Sequence, residues 1–274
     1  MADKHYTIPF FVPLEGCPNR CIFCDQRKIT GEEPPSPEDV PVKIEKYLAT
    51  MSREAHIEAG FFGGSFTGLS MEKMKSFFDP VKKYISSGRI KGIRLSTRPD
   101  LVDARTVSFL ADNGVVCVEL GVQSMSDRVL LKARRGHTAS DTEKASRLIL
   151  DKGMVLGHQM MVGLPGSSFD DELYTAERIK KAGAMQARIY PVVVVKGTEL
   201  ARMYGRGEYE PLSMEEAVER SAELICYFEK NGIKVIRCGL HPSEGLTSGE
   251  DLLAGPFHVS FGHFARQRSM AIKG

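Results

Sequence analysis

The amino-acid sequence predicts an α/β fold in which a parallel sheet curls into a full or partial barrel. Three observations carry this expectation. Apolar, β-branched segments alternate six times with amphipathic ones, and repeated strand–helix alternation builds a parallel sheet through right-handed crossovers. The length of 274 residues suits one barrel-type domain of roughly 200–250 residues and a tail. The 42% apolar and 26% charged residues are those of an ordinary globular chain, which excludes disorder, collagen-like repeats and coiled coils. A flat doubly wound sheet is the alternative architecture.

In chain order, strands are expected at residues 7–12, 57–62, 92–96, 115–121, 154–162 and 187–195. Helical patterns occupy 37–52, 71–86, 103–113, 127–133, 140–152 and 170–182. Ser140 and Glu143 have the spacing of a capping box, while Gly153 and the pair Asn113-Gly114 read as helix stops. Residues 214–230 form a long amphipathic helix and 233–238 a short strand. From Leu240 onward Gly, Pro and Ser recur without a clear period. The expected organisation is therefore a barrel over residues 1–239 and a C-terminal extension over 240–274 that ends without a recognisable stop signal.

Charge and termini narrow the function classes. With 37 basic and 35 acidic side chains the net charge is +2, which weighs against a strongly electrostatic nucleic-acid binder. No apolar run approaches the ~20 residues that span a bilayer, and the first residues open no signal peptide. A cytoplasmic location without membrane partners is the expectation. Six cysteines in such a chain read as thiols or metal ligands rather than a disulfide frame.

Three of those cysteines, Cys17, Cys21 and Cys24, form a C-x3-C-x2-C loop directly after the first strand. Soft thiolates select zinc, copper(I) or iron–sulfur clusters. Structural zinc needs a fourth ligand nearby, whereas Cys117, Cys226 and Cys238 stand alone in apolar segments and read as small core hydrophobes. An iron–sulfur cubane on three thiolates leaves one iron open for chemistry. In a barrel, chemistry belongs at the C-terminal ends of the strands, and the other strand ends here are small or polar. Gly63, Gly64 and Ser65 follow the second strand, where glycines admit close backbone approach to a ligand. Ser96 and Arg98 close the third. Glu119 and Gln123 lie on the fourth; Glu119 needs a polar pocket or an internal cation, and Gln123 both donates and accepts hydrogen bonds. Gln159 is on the fifth, and Arg188 and Tyr190 share one face of the sixth. Arg135 offers a planar fork suited to a carboxylate. The structural readings are a plain turn for the glycines, a solvated helix end for Arg135, a surface position for Arg98 and a helix-facing side for Arg188 and Tyr190. His241, His258 and His263 read as surface histidines.

The cysteine loop resembles that of the radical S-adenosylmethionine (SAM) enzymes, C-x3-C-x-(aromatic)-C, with Phe23 in the aromatic place. The resemblance implies a partial (β/α)6 TIM-like barrel of the radical SAM type. It implies a [4Fe-4S] cluster on Cys17, Cys21 and Cys24, with the amino and carboxylate groups of SAM chelating the fourth iron. One electron then cleaves the sulfonium to a 5′-deoxyadenosyl radical that abstracts hydrogen. Phe23, Gly63, Gly64, Ser65, Ser96, Gln123, Arg135 and Gln159 occupy positions that imply SAM contacts; Gln159 stands where an acidic residue is usual. Arg98, Glu119, Arg188 and Tyr190 fall to the substrate side, and no catalytic side chain is assigned. An electron donor of the flavodoxin or ferredoxin class is implied as partner.

Blocks such as Thr97-Arg98-Pro99-Asp100, Arg135-Gly136-His137-Thr138 and Ile189-Tyr190-Pro191 are similar to the radical SAM half of the Elongator catalytic subunit and its short bacterial relatives. That branch implies a tRNA or other RNA substrate. No acetyltransferase domain, with which that subunit binds acetyl-CoA, is expected in these 274 residues. Two alternatives stand beside this reading. One is an anaerobic coproporphyrinogen-oxidase-like oxidoreductase on a small molecule, which shares the Gly121-Val122-Gln123 and Gly163-Leu164-Pro165-Gly166 blocks. The other is a non-catalytic zinc or RNA-binding module.

Overall fold

The structure is a computed structural model that describes residues 5–12, 17, 21–31 and 33–273. The first half of the described chain runs β1 (His5–Phe11), α1 (Gln26–Thr30), α2 (Asp39–Leu48), β2 (His56–Phe62), α3 (Met71–Ser86), β3 (Gly92–Thr97), α4 (Ala104–Asp112) and β4 (Val115–Gln123). It continues with α5 (Asp127–Lys132), α6 (Ala139–Asp151), β5 (Val155–Val162), α7 (Phe169–Lys181), β6 (Gln186–Pro191), β7 (Val194–Val195) and α8 (Glu199–Gly205). The last elements are α9 (Met214–Lys230), β8 (Lys234–Cys238), α10 (Glu244–Thr247), β9 (Leu252–Ala254) and α11 (Phe261–Lys273).

The main sheet has the order β1-β2-β3-β4-β5-β6-β8, and every pair in it is parallel. The expected curled parallel sheet is present as a partial barrel, and a seventh strand, β8, extends the six. Strand alternation sorts the side chains into two sets. Ile57, Ala59 and Phe61, then Ile93 and Leu95, then Val118 and Leu120 face the helices and are fully buried. Around them Phe61 stacks with Phe10 at 5.2 Å and meets Phe66 at 5.0 Å and Phe78 at 5.8 Å between ring centroids. Aromatic pairs at such separations add about 0.5–1.5 kcal/mol each beyond area burial. The opposite set, including Thr7, Phe62, Arg94, Ser96, Gly121, Gln159 and Arg188, faces the hollow of the barrel.

The structure departs from the sequence expectations in four places. The capping box of α6 is Thr138 with Asp141, not Ser140 with Glu143: the Thr138 hydroxyl accepts from Asp141 N at 3.2 Å, and the Asp141 carboxylate accepts from Thr138 N at 2.8 Å. Two overlapping T/S-x-x-D/E patterns sit two residues apart, and the first wins; Glu143 pairs instead with Arg178. The expected stops do hold, with Gly153 at φ +73° and Gly114 at φ +83°. Second, the expected sixth strand breaks after Pro191, and Val194–Val195 pairs antiparallel with β9. Third, the extension in which no clear period was read holds α10, β9 and α11. Helix α11 packs on α9 through Phe261, Ala265 and Ser269, a four-residue repeat hidden because two of the three are small. Arg268 clamps Glu219 at 2.5 and 2.9 Å along the same seam. Fourth, α1 follows the cysteine loop where no helix was expected. No helix among the described residues is long and apolar enough to cross a membrane.

Candidate active site

A cavity of about 540 Å³ opens at the C-terminal end of the sheet and runs down into the barrel. Cys17, Cys21 and Cys24 lie on its wall, none of them in a disulfide. The described part of their loop is held from two sides: Ile22 N donates to Ala133 O at 3.2 Å, and Leu200 N donates to Ile22 O at 2.8 Å. Phe23, 8% exposed, packs among Val129, Met161, Leu164 and Val192, which explains an aromatic at that place. Immediately downstream, Asp25 caps α1 and Gln26 Nε2 donates to Cys24 Sγ at 3.4 Å. Burial, reinforced by the nearby Cys21 and Cys17, pushes the Cys24 thiol up to about 12. Three thiols on one cavity wall fit an iron centre, which binds soft sulfur ligands.

Two arginines crowd the same point. Arg135 Nη1 donates to Cys21 Sγ at 3.2 Å and Nη2 to Gly121 O at 2.6 Å, leaving its buried Nε without a partner. Arg98 grips Asp100 at 3.0 and 2.9 Å, donates to Arg135 O and reaches Cys21 Sγ at 3.8 Å. Arg98, with 2% exposure, thus belongs to the cysteine end rather than to a surface. Burial and these two cations hold the neighbouring His137 down to about 4, so its ring is neutral.

The other strand ends converge on the same cavity. Gly63, Gly64, Ser65, Ser96, Gln123, Gln159, Arg188 and Tyr190 all line it. Gly63 adopts φ +96°, which a side chain would strain. Gln123 adopts φ +62° without being glycine, and its buried Oε1 has no hydrogen-bond partner. A strained residue with an unsatisfied acceptor beside a cavity is an arrangement kept for a ligand.

Glu119 requires a correction. It does not line the cavity but lies beneath it, 1% exposed. It accepts from Arg188 Nε at 2.5 Å and Nη2 at 2.8 Å, from Gln159 Nε2 at 2.9 Å, and pairs with Arg94 at 3.1 Å. Burial opposes its charge, but Arg188 and Arg94 outweigh burial and hold the carboxyl below its ordinary range. The internal cation that the sequence demanded is therefore two arginines, one of which, Arg94, sequence reading missed. Arg94 also meets Glu58 at 3.3 Å, and Glu58 in turn touches His5 and His56, each at 3.2 Å. The signal for Arg94 was available: it sits between Ile93 and Leu95, so alternation puts it on the face of Ser96. Arg237, also missed, lines the cavity from β8.

The turn after β5 carries one titrating group. Glu172 on α7 accepts from Gly163 N at 2.8 Å and lies 3.5 Å from Arg220, while Tyr209 donates to Gly163 O at 2.8 Å. Burial pushes the Glu172 carboxyl up to about 7. Because its folded value exceeds its unfolded one, its contribution is full below pH ~4.5 and is lost as pH rises through about 7. Tm measured from pH 5 to 8.5 is expected to fall more steeply for the native protein than for Glu172→Gln; parallel curves would refute this.

Three cysteines after the first strand, a double-glycine turn after the second and an arginine fork beside the sulfurs define a class of protein, the enzymes that pair an iron–sulfur centre with SAM in a partial barrel. Sequence comparison agrees: the Radical SAM superfamily model matches residues 11–179 and the Radical_SAM C-terminal domain model residues 184–270, and the chain belongs to the radical SAM superfamily. Its cofactors are a [4Fe-4S] cluster and S-adenosyl-L-methionine. The chain is 31% identical over 240 residues to an uncharacterised protein of Methanocaldococcus jannaschii, covering 82% of this chain and 71% of that one. It is 30% identical over 244 residues to the tRNA uridine(34) acetyltransferase of Methanocaldococcus infernus, covering 74% of this chain but only 46% of that enzyme. The fold matches that of Methanocaldococcus infernus Elp3 with an N-terminal deletion at a TM-score of 0.75 and 22% identity, over 100% of this chain and 64% of that one.

Proposed function

We propose that this protein is a radical SAM enzyme acting on RNA, with tRNA the favoured substrate, and that Cys17, Cys21 and Cys24 hold its cluster. One observation carries the site assignment: fourteen of the fifteen residues expected at the site line a single cavity, Glu119 being the exception. The substrate class rests on the similarity to tRNA uridine(34) acetyltransferases; the chain spans under half of their length, so acetyl transfer is not part of the proposal. When bound, the cluster and SAM supply a reductive cleavage that yields a hydrogen-abstracting 5′-deoxyadenosyl radical.

The chain's own residues prepare the cavity for this chemistry. Arg135 and Arg98 place positive charge beside Cys21, which favours an added electron on a centre held there. Gly63 and Gly64 bring bare backbone to the wall, where amide and carbonyl groups would meet the amino-acid part of SAM. Gln123 offers its unsatisfied Oε1 to a ribose hydroxyl. Glu119 locks Arg188 so that its guanidinium lies 5.2 Å from the Phe62 ring, leaving a rigid cavity floor. Phe23 and Met161 supply apolar walls that exclude water from a radical.

Anaerobic reconstitution with iron and sulfide, followed by dithionite and SAM, is expected to yield 5′-deoxyadenosine. Addition of unmodified tRNA is expected to raise that yield and to produce a uridine of altered mass. Absence of 5′-deoxyadenosine would sink the enzymatic reading. Its formation without any effect of tRNA would sink the RNA reading alone.

A further inference from the structure

Five arginines surround the cavity: Arg94, Arg98, Arg135, Arg188 and Arg237. Four have an anionic or sulfur partner. Arg94 pairs with Glu58 and Glu119, Arg188 with Glu119, Arg98 has Asp100, and Arg135 faces Cys21. Arg237 differs. Its hydrogen bonds run only to backbone carbonyls, from Nε to Gly239 O at 3.1 Å and from Nη2 to Leu240 O at 3.2 Å. Nη1 makes no hydrogen bond to any described residue. Burial weakens its hold on its proton, with the nearby Tyr190 opposing that and the facing Arg188 adding to it. Arg237 also borders a second hollow of about 520 Å³ shared with His258, His263 and Arg266.

A half-buried cation without a counter-charge is costly unless an anion joins it. The cavity's other arginines are committed to Glu58, Glu119, Asp100 and Cys21. We infer that Arg237 is the binding residue for an oxyanion of the substrate, a phosphate of the nucleotide that enters the cavity; this rests on the RNA reading. Two of its five N–H donors are tied to carbonyls, which leaves both on Nη1 and one on Nη2 for the oxygens of a phosphate. The carbonyls of Gly239 and Leu240 fix the guanidinium, so it meets the anion without reorganising.

The test uses cluster-loaded, SAM-bound protein under anaerobic conditions, with uridine 5′-monophosphate and uridine as probes in isothermal titration. The native protein is expected to bind the nucleotide about tenfold more tightly than the nucleoside, the ratio of one charge-assisted hydrogen bond. Inorganic phosphate should compete with the nucleotide. In Arg237→Met the ratio should fall to about one with iron content unchanged, whereas Arg237→Lys, which keeps the charge, should stay within about threefold of native. A native ratio near one, no binding of either probe at 10 mM, a preserved ratio in Arg237→Met, or equal loss in Arg237→Lys would each overturn the assignment. Failure of the RNA reading is separately visible: the nucleotide preference would stand while tRNA neither raised 5′-deoxyadenosine yield nor changed mass.

Discussion

Cys21→Ala is expected to reduce bound iron from about 4 to well below 1 per chain and to abolish the broad absorption near ~400 nm, along with 5′-deoxyadenosine formation. Cys21 is the thiol on which both arginines converge and is only 5% exposed, so its loss removes a ligand and strands two cations. Cys17 and Cys24 alone cannot hold a cubane against exchange into solvent. Cys117→Ala is the matched control, since that thiol is buried beside Arg94, outside the cavity lining. Iron and sulfide analysis with visible spectroscopy reads the result. Native iron content in Cys21→Ala, or equal loss in Cys117→Ala, would contradict the ligand assignment.

Glu119→Ala is expected to be the most destabilising single change beneath the cavity, by about 3–5 kcal/mol. It leaves the buried Arg94 without one partner and Arg188 without its fork, and it frees Gln159 Nε2. For a chain of this size that corresponds to a fall in Tm of roughly 10 °C. Urea unfolding of the native and variant proteins at pH 7 measures it. A difference below about 1 kcal/mol would mean that water enters and solvates the arginines, so that Glu119 is not the counter-charge they depend on. Glu119→Gln keeps the volume and separates loss of charge from loss of packing.

Much of the site could be read from residue order alone because its pieces are local. Cysteines separated by three and two residues must share one loop, and Gly63-Gly64 at a strand end needs no partner to be recognised as a close-approach turn. The strand ends are also where a barrel gathers residues that are distant in sequence, so one fold prediction brings them together. Charge pairing was less accessible. Nothing near Glu119 in sequence names Arg94 and Arg188 as its partners, because register across three strands decides which guanidinium meets which carboxylate. Arg98 was ambiguous for the same reason: its anchor Asp100 is local, but Cys21 and Arg135 reach it only through the curl of the sheet.

The tail shows the same division. Small residues at Ala265 and Ser269 carry no periodic hydrophobic signal, and α11 is stabilised by burial against α9 and by Arg268 reaching Glu219, forty-nine residues away. The break after Pro191 likewise depends on a distant strand, β9, taking the pairing that a continuous sixth strand would have kept. From composition, alternation and motif spacing came the fold class, the cysteine loop and the strand ends facing the cavity, since each depends on bonds or turns within a few residues. Three-dimensional packing alone determined that Glu119 lies under the cavity rather than in it, that Arg98 guards a sulfur, and that Arg237 faces inward without a counter-charge, because electrostatic partnership is set by distance in space.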